Sequence, residues 1–144
     1  MNKIYPFLEL ASVNAPYMDE LTEAAVRVIS SGRYIGGEEV TCFEEELAAK
    51  LRVGYSVGLS NGLDALRLIL KGYIEMGMMR MGDEVIVPAN TYIASLLAIT
   101  DAGLVPVPVD VDIDTMNIDT GLIEASVTDK TRAIMLVHLY GRVV

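Results

Sequence analysis

Apolar positions along the chain follow two periods, and the switch between them marks out the elements. From Met18 to Ser31, Leu21, Ala25 and Val28 share one face of a helix, and Gly32 follows as a stop signal. Gly32-Arg33-Tyr34-Ile35-Gly36-Gly37 reads as a glycine-bracketed turn. From Val40 to Arg52 a second stripe of Val40, Phe43, Leu47 and Leu51 predicts another helix, with Glu44, Glu45 and Glu46 turned to water. The period then changes. Tyr55 to Leu59 is a short strand candidate, followed by Ser60-Asn61-Gly62 and a helix from Leu63 to Met76 with Leu66, Ile69, Leu70 and Tyr73 inward. Gly82-Asp83 is a turn signal, and Glu84-Val85-Ile86-Val87 a buried strand ended by Pro88. Thr91 to Ala102 reads as an apolar helix closed by Gly103. The strand pattern of Leu104 to Val111 carries Pro106 and Pro108, which predict an edge or irregular position. A short helix near Gly121 to Ser126 and an apolar strand from Ala133 to Leu139 complete the series.

Strands alternating with helices predict a three-layer α/β fold with a mainly parallel sheet covered on both faces. The strands fall near residues 55–59, 84–87, 104–109 and 133–139, and residues 1–37 form an N-terminal helical and loop segment ahead of them. The last strand pattern runs almost to the final residue with no helix after it. Residues 1–144 are therefore expected to be part of a larger, incomplete domain, with apolar surface that promotes self-association.

Composition narrows the function classes. Of 144 residues 52% are apolar, enough for a sizeable core, and the net charge of −9 argues against nucleic-acid binding and against docking on anionic lipid. One cysteine, Cys42, cannot form an internal disulfide, which fits a reducing cytosol; its helical context reads as packing. The first residues carry no sustained apolar stretch of a signal peptide, and no apolar run approaches the length of a membrane span. The expected location is the cytoplasm.

In open α/β sheets ligands sit at the carboxyl ends of the strands. The first such end, Ser60-Asn61-Gly62-Leu63-Asp64, joins a strand pattern to a helix start, where unpaired N–H groups and the positive end of the helix dipole suit a phosphate. Gly62 would allow close approach, and the Asp64 carboxylate would have to point away. The same residues also read as an ordinary helix cap in which Ser60 or Asn61 satisfies the N–H groups, and the motif alone favours that plainer reading. At the second end, Tyr92 stands one turn into a helix and could lay its ring on a flat heterocycle, or serve as a half-buried core residue. At the third, Asp112 and Asp114 read as turn caps, since the spacing of the acids does not match a calcium loop. His138, the only histidine, stands at the fourth end and leaves a structural or an active-site role open; with one histidine, zinc ligation is poorly supported.

In this order the segments resemble the sugar aminotransferase family named for DegT, DnrJ, EryC1 and StrS. The resemblance runs from Pro6-Phe7-Leu8-Glu9-Leu10 through Ser31-Gly32-Arg33-Tyr34-Ile35-Gly36-Gly37-Glu38 and Gly82-Asp83-Glu84-Val85-Ile86-Val87-Pro88. It continues through Asn90-Thr91-Tyr92-Ile93-Ala94-Ser95, Val109-Asp110-Val111-Asp112 and Asn117-Ile118-Asp119 to Val137-His138-Leu139-Tyr140-Gly141. It implies the large domain of a fold-type-I pyridoxal-phosphate (PLP) transferase. The Asn61-Gly62-Leu63-Asp64 turn would hold the cofactor phosphate, Tyr92 would stack on the pyridine ring, and Tyr34 and Asn90 would lie near the sugar-nucleotide pocket. The substrates implied are a keto-sugar nucleotide and an amino-acid donor, glutamate, and the assembly a homodimer.

Two departures matter. Leu63 stands where many members have threonine, and Asn-Gly-Leu-Asp-Ala-Leu resembles the branch acting on 3-keto-6-deoxyhexoses. The family also needs a lysine that anchors the cofactor covalently and an acid that pairs with the pyridine nitrogen. Lys3, Lys50, Lys71 and Lys130 all lack that lysine's context, so no catalytic residue is assigned and the chain alone is expected to be inactive. Two alternatives stand beside the aminotransferase: a PLP-dependent sugar dehydratase, in which another residue replaces the lysine, and a non-catalytic interaction module.

Overall fold

The computed structural model describes residues 5–144; Lys3 lies outside them. The chain divides into two compact units, Met1–Gly58 and Leu59–Val144.

The first unit is helical. A short α1 (Leu10–Asn14) and a 3-10 turn (Ala15–Tyr17) lead into α2 (Met18–Ser31) and then α3 (Glu38–Leu51). Asp19 and Glu20 begin α2, and Glu38 and Glu39 begin α3, where negative charge complements the helix dipole. Helix α2 ends where the sequence pattern predicts, because Gly32 takes a left-handed φ of 66° and returns its N–H to the Ile29 carbonyl. An ion pair between Arg27 Nε and Glu39 Oε1 at 2.9 Å links α2 to α3.

None of the described residues up to Gly58 is buried. The apolar stripes exist in phase, but Leu21, Val40, Phe43 and Leu51 are exposed, and so is Cys42, which was expected to be packed. Glu44 does not simply face water: its Oε1 accepts the Gly58 N–H at 2.6 Å. Tyr55–Leu59 forms no strand. A strand needs a neighbour to take its N–H and C=O groups, and the described sheet, ordered β2-β1-β3, does not include this segment. Tyr55 and Val57 stand exposed instead.

The second unit holds the sheet. Helix α4 (Gly62–Glu75) precedes β1 (Glu84–Pro88), α5 (Ile93–Asp101), β2 (Val105–Val109), α6 (Thr120–Ser126) and β3 (Thr131–Ile134), with a final 3-10 turn at Leu139–Gly141. Both pairings of β1 are parallel. Side chains alternate across the sheet. Val85 and Val87 pack with Leu70 of α4 and with Ala98 and Ile99 of α5. Ile86 packs with Val109 and Ile118, with Ile123 of α6 against them. This gives the predicted three layers: α4 and α5, the sheet, then α6. Ile86, Ile99, Val85 and Val87 are fully buried, each worth about 1.5–3 kcal/mol relative to exposure.

The prolines are placed by the hydrogen-bond ladder. Val105 donates to Asp83 O, and β2 runs in register with β1, so the N–H groups facing β1 belong to residues 105, 107 and 109. Pro106 and Pro108 occupy the alternate positions, where a missing N–H costs no bond, and β2 is an edge of the described sheet as expected. Pro88 acts in the opposite way. On β1 the even-numbered residues face β3, with Glu84 N–H bonded to Lys130 O and Ile86 O accepting from Met135 N–H. The next donor toward β3 would be residue 88, which is proline. Strand β3 accordingly ends at Ile134 and does not run to Leu139.

Helix α4 is also turned from its expected phase. Leu63, Leu66, Leu70 and Ile74 face the core, while Ile69 and Tyr73 are exposed. Among the described residues no helix is long and apolar enough to cross a membrane.

Candidate functional site

Helix α4 begins at a capped end. Asn61, with extended backbone, accepts the Asp64 N–H on its side-chain oxygen at 2.9 Å, and its carbonyl accepts the Ala65 N–H. The N–H groups of Gly62 and Leu63 are left without an intrahelical partner, at the positive end of the helix. The plainer reading of a helix cap is met by Asn61, and two N–H groups remain outside the helix ladder. A Cβ built on Gly62 meets nothing within 4 Å, and its φ is not left-handed. Neither backbone conformation nor packing requires glycine here.

These residues form one wall of a cleft of about 860 Å³ within the second unit. Asn61, Gly62, Leu63, Ala65 and Leu66 line one side, residues 91–95 and Leu97 the other, with Val137 between. Tyr92 is 74% exposed and is the N-cap of α5, one turn earlier in the helix than expected. Its carbonyl accepts the Ser95 N–H at 3.0 Å, and the Thr91 and Ser95 hydroxyls lie 2.8 Å apart beside it. A short polar knot therefore fixes the backbone that carries the ring.

Asp64 is absent from the cleft walls, as the phosphate reading requires. Its Oδ2 accepts from the Ser60 hydroxyl and from Asn61 Nδ2, and its Oδ1 pairs with Arg67 Nη2. The Ser60 hydrogen bond first, then Arg67 and Asn61, hold the Asp64 carboxyl below the usual carboxylate range. The i,i+3 spacing of Asp64 and Arg67 is visible in the sequence but was read only as part of the helix. The second partner of Arg67, Asp101 Oδ2 at 3.7 Å, lies on α5 and carries no local signal.

Asn90 does not line this cleft. Its Nδ2 donates to the carbonyl of Met116 at 3.0 Å, bracing a turn in which Met116 has a left-handed φ of 59°. Tyr34 lies in the first unit, on a hollow of about 450 Å³ shared with Arg27, Arg33 and Cys42. Its hydroxyl donates to the Ile29 carbonyl at 3.4 Å.

The acids that follow β2, and His138 beyond the end of β3, make local hydrogen bonds. Asp112 Oδ1 accepts the N–H groups of Asp114 and Thr115, so Asp112 caps its turn. Asp114 takes part through its backbone, its carbonyl accepting from Arg142. Donation by the Thr115 hydroxyl and N–H holds the Asp112 carboxyl below its ordinary range. His138 Nδ1 accepts the Val144 N–H at 3.1 Å. Asp83, read from sequence as a turn residue, is 3% exposed. It accepts the Arg80 N–H and pairs with Arg80 and Arg132 just ahead of β1, at the end of the sheet opposite the cleft.

Two free N–H groups at a helix start, an unconstrained glycine and an exposed aromatic ring over a mainly apolar floor suit a phosphorylated aromatic ligand. The DegT/DnrJ/EryC1/StrS aminotransferase family profile matches residues 17–144. The chain is 51% identical, over 95% of its length, to a dTDP-3-amino-3,6-dideoxy-alpha-D-galactopyranose transaminase of Aneurinibacillus thermoaerophilus. Among solved structures it is similar to Streptomyces venezuelae DesV in complex with a ketimine intermediate. That match has a TM-score of 0.87 and 44% identity, and covers 96% of this chain and 36% of DesV. It is also similar to the Escherichia coli GDP-4-keto-6-deoxy-D-mannose-3-dehydratase with bound hydrated PLP. There the TM-score is 0.74 and the identity 32%, over 81% of this chain and 31% of the dehydratase. The chain spans little more than a third of the transaminase, 37% of its length. With a profile match over most of its residues, this chain belongs to the DegT/DnrJ/EryC1/StrS aminotransferase family.

Proposed function

We propose that these residues hold the cofactor phosphate and cover the cofactor ring in a PLP-dependent aminotransferase acting on a keto-sugar nucleotide. One observation supports the reading: Gly62 and Leu63, at the start of α4, line the same cleft as Tyr92. When bound there, PLP supplies an electron sink for exchange of an amino group. The residues of this chain bind and orient. Gly62 and Leu63 donate to the phosphate from the positive helix end, and Gly62 lets the backbone come within contact distance. Tyr92, held by the Thr91–Ser95 knot, fixes the plane of the ring. Asn61 closes the remaining N–H of the turn. Asn90 acts on the substrate side through the turn it braces, and Tyr34 supplies a contact for the sugar nucleotide.

The covalent anchor comes from outside these 144 residues. Lys130 precedes β3 at the end of the sheet away from the cleft, its carbonyl bonded to Glu84. Lys71 stands nine residues into α4, roughly 13 Å along the axis from the phosphate turn. Lys50 is the last-turn cation of α3. On this reading the chain alone transaminates nothing, and the longer protein works as a cytoplasmic homodimer with glutamate as donor. The relative's name supports a dTDP-linked 3-keto-6-deoxyhexose as acceptor, and Leu63 in place of threonine is compatible with it.

The sugar dehydratase is the second reading, favoured by the likeness to the dehydratase at a TM-score of 0.74; the likeness to DesV is higher, at 0.87. Incubating the longer protein with PLP, glutamate and a dTDP-3-keto-6-deoxyhexose, followed by mass spectrometry, separates them. A 3-amino sugar formed at the expense of glutamate supports the aminotransferase. A dehydrated sugar without retained nitrogen rejects it.

A further inference from the structure

We propose that Arg67 is a positioning residue that holds the Asp64 carboxylate out of the cleft, so that a phosphate meets the start of α4 without a competing negative charge. The proposal rests on the phosphate reading above and assigns a task to a residue that does not line the cleft.

An acid in the first turn of a helix is drawn to the same N–H groups and positive end that attract a phosphate. Asp64 is such an acid, two residues after Gly62. Left unrestrained, it would compete for that end or repel the dianion. Residues 61, 62, 63, 65 and 66 line the cleft, and Asp64 is the one skipped. Its oxygens are occupied elsewhere: Oδ1 by Arg67, Oδ2 by the Ser60 hydroxyl and by Asn61 Nδ2 at 3.1 Å. Arg67 is in turn anchored, with Nη1 3.7 Å from Asp101 Oδ2 at the last residue of α5. The planar guanidinium thus spans carboxylates on two helices, a geometry that the single ammonium of lysine does not reproduce. Arg67 is itself absent from the cleft walls, so its influence on a bound anion passes through Asp64.

The test uses the longer protein and two probes that bind without a covalent link, pyridoxamine 5′-phosphate and pyridoxamine, with affinities from equilibrium dialysis. For Arg67→Ala the expected result is a loss of about fivefold to tenfold for the phosphorylated probe, the worth of one partly screened charge, and no change for pyridoxamine. Adding Asp64→Asn to Arg67→Ala restores the affinity to within about twofold of the starting protein, because the two residues act as one unit. Asp64→Asn alone binds the phosphorylated probe no more weakly than the starting protein. Arg67→Gln repeats the test should Arg67→Ala fail to fold. Persistence of the loss in the Asp64→Asn background overturns the proposal, because Arg67 would then act on the ligand or the fold directly. An unchanged affinity in Arg67→Ala, or an equal loss for both probes, overturns it too. Failure of the underlying phosphate reading looks different: the starting protein would bind the two probes alike, and Gly62→Val would alter neither.

Discussion

Residues 5–58 and residues 59–144 both contain helices with a clear apolar stripe, yet only the second region buries any side chain. In the second region α4 and α5 lay their stripes on Val85 and Val87, and the opposite face of β1 is closed by Ile118 and Ile123. In the first, α2 and α3 are joined by an ion pair between exposed groups, which water and salt screen. An amphipathic pattern sets helix and phase, but a core requires a second apolar surface to receive the stripe. The candidate site follows the same division. The turn at Gly62 and Tyr92 stand at the starts of α4 and α5, which pack on the core, whereas Tyr34 stands in a glycine-bracketed turn of the region without one.

The sharpest way to break this contrast is to truncate one apolar residue in each region and measure urea unfolding. Ile86→Ala is expected to cost about 2–5 kcal/mol and Phe43→Ala less than about 1 kcal/mol. Equal costs would mean that the first region has a core of its own. Asp83→Ala should come next, at about 1–3 kcal/mol, since it removes the buried acceptor of the Arg80 N–H. Glu45→Ala, exposed on α3, should stay within about 0.5 kcal/mol by the same measurement.

The two tyrosines offer a finer comparison. In the longer protein Tyr92→Ala is expected to lower pyridoxamine 5′-phosphate affinity about threefold to tenfold, without loss of thermal stability. Tyr34→Ala should leave that affinity unchanged and raise only the KM for the sugar nucleotide. The reverse pattern would exchange their roles. The smallest effect is on acid stability. Asp64 and Asp112 both have carboxyls held below the ordinary value of 3.8. Their contribution is therefore full above that pH and is lost as pH falls through the lower folded-state value. Asp64→Asn and Asp112→Asn should each lower stability slightly at neutral pH and flatten the acid limb of the stability–pH profile below about pH 4.

What the sequence made legible was local. The β1 strand announced itself by an apolar run between Gly82-Asp83 and Pro88, and α2 by its stripe and Gly32. What escaped it was set by neighbours distant in the chain. Tyr55–Leu59 has strand composition but no pairing partner in the described sheet. The early end of β3 is caused by Pro88 on another strand. The phase of α4 departs from the predicted one at Ile69 and Tyr73 because Leu63, Leu66, Leu68, Ile69 and Leu70 give the helix several apolar faces. Gly62 and Tyr92 were readable as candidates by residue type, although a strand end precedes only Tyr92. The division of labour at the turn was not: Asn61 takes one N–H, and Arg67 with Ser60 holds Asp64 aside.

The central claim is that the free N–H groups at the start of α4 hold a phosphate and that Gly62 is glycine for that reason alone. The most direct test is the affinity of the longer protein for pyridoxamine 5′-phosphate before and after Gly62→Val, with thermal unfolding measured alongside. The account predicts a loss of about tenfold or more, unchanged affinity for pyridoxamine and a melting temperature no lower than before, since a Cβ at Gly62 meets open space. Unchanged affinity for the phosphorylated ligand in a folded Gly62→Val protein would contradict it.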